Sequence, residues 1–117
     1  MDPYQHVYQT VSALGIPGAL QAFPEPDAGG AGAPPLPFFI YDLRDPGTVR
    51  ADDGDWCGLP TFEVELYEAS RDRDLEDRVA EALRSEFGPV SRDEAWVAEE
   101  HCRMVAWTFT VAGDEMI

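Results

Sequence analysis

The sequence predicts an α+β domain: a mostly antiparallel sheet of about four main strands with two helices packed against it, in the order α-β-β-β-α-β-β. Three observations carry that reading. Two segments space their apolar residues as helices do, Tyr4, Val7, Tyr8, Val11 and Leu14 in one and Leu75, Val79, Leu83 and Phe87 in the other. Phe62, Val64 and Leu66 alternate with Glu63, Glu65 and Tyr67, the period-two pattern of a half-buried strand. The strands also come in adjacent runs, which favours antiparallel pairing. One face of the sheet should be covered by helices and the other should be partly polar.

The elements follow in order. Asp2 can cap the first helix, Pro3 suits its first turn, and Gly15 with Pro17 ends it. A short extended piece, Leu20 to Phe23, comes next. Pro24 to Pro35 is almost all Pro, Gly, Ala and acid, with little to bury against the entropy of ordering it. It reads as a mobile loop at about 24–36 within a single domain, 1–117, rather than as a domain linker. Phe38 to Tyr41 is apolar on both faces and suits a central strand. Asp45-Pro46-Gly47 is a turn, and a loop carrying Ala51 to Asp55 leads to the strand with Phe62. The second helix spans about 72–87, with Asp74 and Arg78 one turn apart in the favourable order, and Gly88-Pro89 stops it. Val90 to Ala98 and Glu100 to Val111 form a closing antiparallel pair, with Val105, Trp107, Phe109 and Val111 on one face.

Composition narrows the function classes. The 117 residues carry 23 acidic and 8 basic side chains, a formal net charge of -15. A basic groove for nucleic acid is therefore not expected, since phosphate neutralisation needs clustered cations. Every basic side chain is Arg, which a GC-rich coding genome would explain. No signal peptide and no membrane span are expected. Cys57 and Cys102 are too few for a disulfide framework and read as small, half-buried, reduced thiols.

Motifs for catalysis are missing from the pattern. There is no CxxC, HExxH, P-loop, GxGxxG or GxSxG. His6 should face solvent from the first helix, and His101 and Cys102, as strand neighbours, should point to opposite faces and share no metal. Asp52, Asp53 and Asp55 could in principle offer oxygens to calcium, but no Glu closes a twelve-residue loop; turn chemistry comes first and protein contact second. Trp56, Trp96 and Trp107 suit core or interface anchors better than a ligand pocket. Glu63 with Glu65, and Glu99 with Glu100, could imitate acid–base pairs, yet solvated carboxylates are the simpler reading, and no perturbed pKa is expected. The expectation is a non-enzyme with no catalytic residue, no cofactor and no metal.

Leu36 to Tyr41, then Ala51-Asp52-Asp53, then Glu65-Leu66-Tyr67, form an ordered series that resembles the tail-completion, or tail-terminator, family of long-tailed phages. Arg71-Asp72 with Glu76, and Glu99-Glu100 before the last strand, resemble its further pattern; Arg71 stands where the family often has Lys. The resemblance covers most of the chain from Leu36 to Val111, and the loop from Pro24 to Pro35 is longer and richer in Gly and Ala than expected. It implies a structural virion protein made in the bacterial host cytoplasm. Its partners would be itself, in a ring usually of six subunits, the tail tube protein and a head-tail connector protein. Such a ring ends tube polymerisation and lets the head join, while DNA passes the lumen without specific binding. Candidate subunit or lumen contacts are Asp52, Asp53, Asp55, Trp56, Arg71, Asp72, Glu99 and Glu100. A carboxylate-lined lumen would repel the passing DNA, giving the acidity a use. The alternatives are a head-tail connector protein and, from a different class, an acidic DNA-mimic inhibitor, whose charges would have to follow phosphate spacing along one surface.

Overall fold

The computed structural model describes residues 2–23, 32–51, 54–57 and 59–111. The α+β class holds: two helices pack on one face of a sheet whose strand pairs are mostly antiparallel. The sheet has five strands rather than about four, ordered β1-β2-β5-β7-β6, and a separate two-stranded hairpin is added. The strands are β1 (Gly18–Leu20), β2 (Phe38–Asp45), β5 (Thr61–Glu68), β6 (Ser91–Val97) and β7 (Cys102–Thr110), and the hairpin joins β3 (Thr48–Ala51) to β4 (Gly54–Cys57). Only β1 and β2 run parallel.

Helix α1 (Pro3–Ser12) starts as its sequence directs, with the Asp2 carboxylate accepting from the Gln5 amide at 2.9 Å. Asp72 does the same for α2 (Arg73–Phe87), accepting from Leu75 N at 3.1 Å, and Asp74 and Glu76 occupy the positive end of the dipole. Gly88 closes α2 with φ at 94°, a conformation that side chains resist. Arg78 donates to the Leu14 carbonyl at 3.2 Å and so ties α2 to the end of α1.

The extended piece placed at Leu20 to Phe23 begins earlier, at Gly18, because that position lies directly against the Phe39 ring. A Cβ there would collide with the ring, so the strand can lie beside β2 only where the chain offers a glycine. The loop placed around Ala51 to Asp55 is instead the two arms of the β3–β4 hairpin, with Arg50 opposite Asp55 and Val49 opposite Trp56. Residues 24–31 of the Gly/Pro/Ala loop lie outside the described residues.

Register decides what each face carries. Phe39, Leu66 and Val105 align across β2, β5 and β7, as do Tyr41, Val64 and Trp107. With Val7 and Val11 of α1 and Val79 and Leu83 of α2 they form one buried cluster. Stacking of Phe87 on Phe109, centroids 4.9 Å apart, extends the cluster at the C-terminal end of α2. Among the described residues the opposite face has no helix over it, and an apolar row on it lies beside rows that carry acidic residues.

Candidate functional site

Two places in the fold gather chemistry, one on each face of the sheet. On the helix-covered face, the inward alternation of β5 continues past Phe62, Val64 and Leu66 to Glu68, which is 2% exposed. Glu76, from the first turn of α2, meets it there and is 1% exposed. Three guanidiniums converge on the pair, Arg71 from the β5–α2 link, Arg92 from β6 and Arg103 from β7. Arg92 Nη2 donates to Glu76 Oε1 at 2.5 Å, and Arg103 Nε donates to Oε2 at 3.4 Å. Glu94 of β6 pairs with Arg103 and stands 3.7 Å from both Arg71 and Arg92.

The two buried acids are unequal. Burial acts upward on Glu76, but its contacts with Glu68 and Arg92 and the charge of Arg103 outweigh it and hold the group below the ordinary carboxylate range. Both Glu68 oxygens are sealed from solvent without a hydrogen bond of normal geometry, and the nearest cation, Arg103 Nε, is 3.6 Å away. Burial first, and then the Glu76 carboxylate, push Glu68 up to about 8.

On the open face, Phe38 of β2 stacks on Tyr67 of β5 with centroids 5.3 Å apart, and Phe23 meets Phe38 edge-on at 5.2 Å. Segment 32–36 passes beside this aromatic row and leaves a groove of about 850 Å³. Ile40, Val97, Cys102 and Glu99 complete its walls. Next to it along β5, Tyr67 donates to Glu65 Oε1 at 3.2 Å. Burial, followed by the Glu63 charge, raises Glu65, while burial and then Glu65 push Tyr67 up to about 12. Arg44 donates to Glu63 and so neutralises that carboxylate. The expectation that no group would be perturbed is thus corrected on both faces, because folding removes water from carboxyls that look exposed in a linear pattern.

The eight site residues singled out from the sequence do not converge. Asp52 and Asp53 lie outside the described residues, and Asp55 and Trp56 belong to β4 of the hairpin. Arg71 borders the buried charge cluster, Nε 3.8 Å from Glu76, and Asp72 caps α2 beside it. Glu99 and Glu100 share the 3-10 turn between β6 and β7, Glu99 at the rim of the groove. His6 is not simply solvent-facing: its Nε2 lies 2.5 Å from Glu86 Oε1 and its ring packs on Phe87 at 4.7 Å. His101 sits in the turn with φ at 50°, not in a strand. Of the tryptophans, Trp107 is fully buried and Trp96 is 61% exposed. Among the described residues, no group of three or more His, Cys, Asp and Glu is arranged to hold a metal ion.

The residues that sequence reasoning passed over are Glu68, Glu94, Arg92 and Arg103. A signal existed for one of them: Glu68 is the next inward position after Leu66, so extending the alternation two residues places a carboxylate in the core. Its partners come from strands far along the chain and carry no local mark. The chain matches no protein-family model, and no curated protein matches it.

Proposed function

We propose that this chain is a structural subunit that works by assembly, as a terminator ring on the head-proximal end of a phage tail tube. The ordered series from Leu36-Pro37 through Glu65-Leu66-Tyr67 to Glu99-Glu100 carries the reading. The architecture is compatible with it. Among the described residues, one face of the sheet is free of helices and β6 is an edge strand bonded on one side only, to β7. Such surfaces suit heterologous contacts, which close into a ring when the rotation permits. Tail tube protein below and a head-tail connector protein above are the partners that this role requires. Carboxylates on the lumen side would keep passing DNA from adhering.

Electron microscopy of virions made with and without the chain tests the role. Tails of runaway length that fail to join heads, with density for the chain at the head-proximal end of complete tails, are the expected result. Tails of normal length beside unjoined heads would move it to the connector layer. Normal tails on normal heads would remove the structural role and leave the acidic DNA-mimic inhibitor to be tested.

A further inference from the structure

The open face is apolar along one line, and the lines beside it carry acidic residues among apolar and neutral ones. Phe38, Tyr67, Met104 and Ala95 align across β2, β5, β7 and β6, so an apolar row runs from the groove to the free edge of the sheet. The adjacent row is Ile40, Glu65, Ala106 and Asp93, and the one beyond it holds Asp42 and Glu63. Glu99 stands at the rim. Among the described residues, the guanidinium on this face is Arg44, and it is already committed to Glu63. Among the described residues Glu99 and Asp93 make no ion pair, and Glu65 shares only the Arg44 charge already bonded to Glu63, whereas the opposite face brings three arginines and three glutamates together.

The edge strand has two halves. Arg92, Asp93 and Glu94 protect the first, as charges on edges usually do. Ala95, Trp96 and Val97 leave the second unprotected, with Val97 in the groove wall and Trp96 61% exposed on the other side of the strand. Among the described residues no second strand pairs with β6 there, so its outer backbone groups can accept a further strand whose side chains on one face would enter the groove.

We propose that the groove and the Ala95–Val97 edge form one docking surface for an extended segment of another protein, carrying apolar side chains and at least one Arg or Lys. The proposal rests on the assembly reading and adds to it the chemistry of the partner. A second copy of this chain is the poorer occupant, since a molecule of net charge -15 brings carboxylates to carboxylates. A cationic side chain laid against Glu99, or against Glu65 beside the already committed Arg44, instead adds counter-charge to a face with more acid than base.

The test is an amide-shift titration of the isotope-labelled chain with two synthetic peptides, one alternating Val and Arg and the other alternating Val and Glu, at near-physiological salt. The Val/Arg peptide is expected to bind and to shift Phe38, Tyr67, Val97 and Met104, and the Val/Glu peptide is not. Joint Glu65→Gln and Glu99→Gln substitution should weaken binding at least about five-fold, equal to about 1 kcal/mol. Joint Asp77→Asn and Glu81→Gln substitution removes the same charge from exposed positions on α2 and should change affinity less than about two-fold. Val97→Asp, with an otherwise unchanged spectrum, should abolish binding. Shifts spread over α1 and α2, equal losses from both double variants, or no binding of either peptide would overturn the proposal. A doubly substituted Glu65/Glu99 chain that still joins tails to heads would overturn it while sparing the terminator role. Peptide binding with shifts at Phe38, Tyr67, Val97 and Met104 by a chain absent from virions would sustain the surface and remove the role.

Discussion

The two faces of the sheet handle charge in opposite ways. Under α2, three arginines and three glutamates from the β5–α2 link and from α2, β5, β6 and β7 close on one another, and the deepest members have no access to water. Arg92 also lies over the Trp107 ring at 5.8 Å, which joins the cluster to the apolar core. On the open face the described carboxylates outnumber the cations, Glu65 is only partly withdrawn from water, and Glu99 stands at the rim of the groove beside segment 32–36. Burial explains the difference. A charge removed from water has to find partners within the chain, whereas a surface charge can remain unmatched at little cost until a partner arrives.

The largest test of this contrast is removal of one acid from each face. Glu76→Ala leaves Arg92 and Arg103 facing a buried vacancy and should destabilise by about 3–5 kcal/mol. Glu65→Ala, on the open face, should cost less than about 1 kcal/mol. Urea denaturation of both variants decides it, and equal losses would mean that the two faces are energetically alike.

A second test separates the two buried acids by pH. Glu68 is raised when folded, so the native state holds its proton more tightly, and its contribution is lost as pH rises from the ordinary carboxylate range through about 8. Glu76 is lowered, so its contribution is present above the ordinary carboxylate range and is lost as pH falls through its depressed value. Glu68→Gln should therefore flatten the fall in stability between about pH 5 and pH 8, and at the upper end should be at least as stable as the parent, as seen in urea midpoints. A parallel downward shift at all pH values would show that Glu68 does not titrate in that window.

The smallest effect concerns Tyr67. Its phenol should titrate near 12 by ultraviolet absorbance, and Glu65→Gln should bring it back toward the ordinary tyrosine value without altering Tyr41. An unchanged Tyr67 titration in that variant would mean that burial alone sets it.

Much of the framework was legible because its causes are local. Asp2 and Asp72 announce helix starts, Gly88 announces a stop, and the β5 alternation announces a buried face within eight residues. The β3–β4 hairpin was less legible, since its Asp- and Gly-rich sequence carries turn chemistry along most of its length. The fifth strand was displaced for a different reason: the collision of any Cβ at Gly18 with Phe39 is a contact between elements, and nothing in the residues around Gly18 reveals it.

The candidate sites divide along the same line. Asp2 could be placed as a cap and Trp107 as a core or interface anchor from the sequence, because both roles depend on neighbours in sequence or on strand parity. Asp72, expected at a helix start and as a candidate contact, proves to be the cap of α2. The sequence by itself determined the α+β class, both helices, the inward faces of β5 and β7 and the excess of acid, all of them consequences of periodicity and composition. Tertiary structure alone decided that Glu68 and Glu76 meet three arginines while Glu65 and Glu99 form no ion pair among the described residues. Pairing across β5, β6 and β7, with α2 laid over it, sets which charges become neighbours and which lose their water. Those two quantities decide the different fates of Glu68, Glu76 and Glu65.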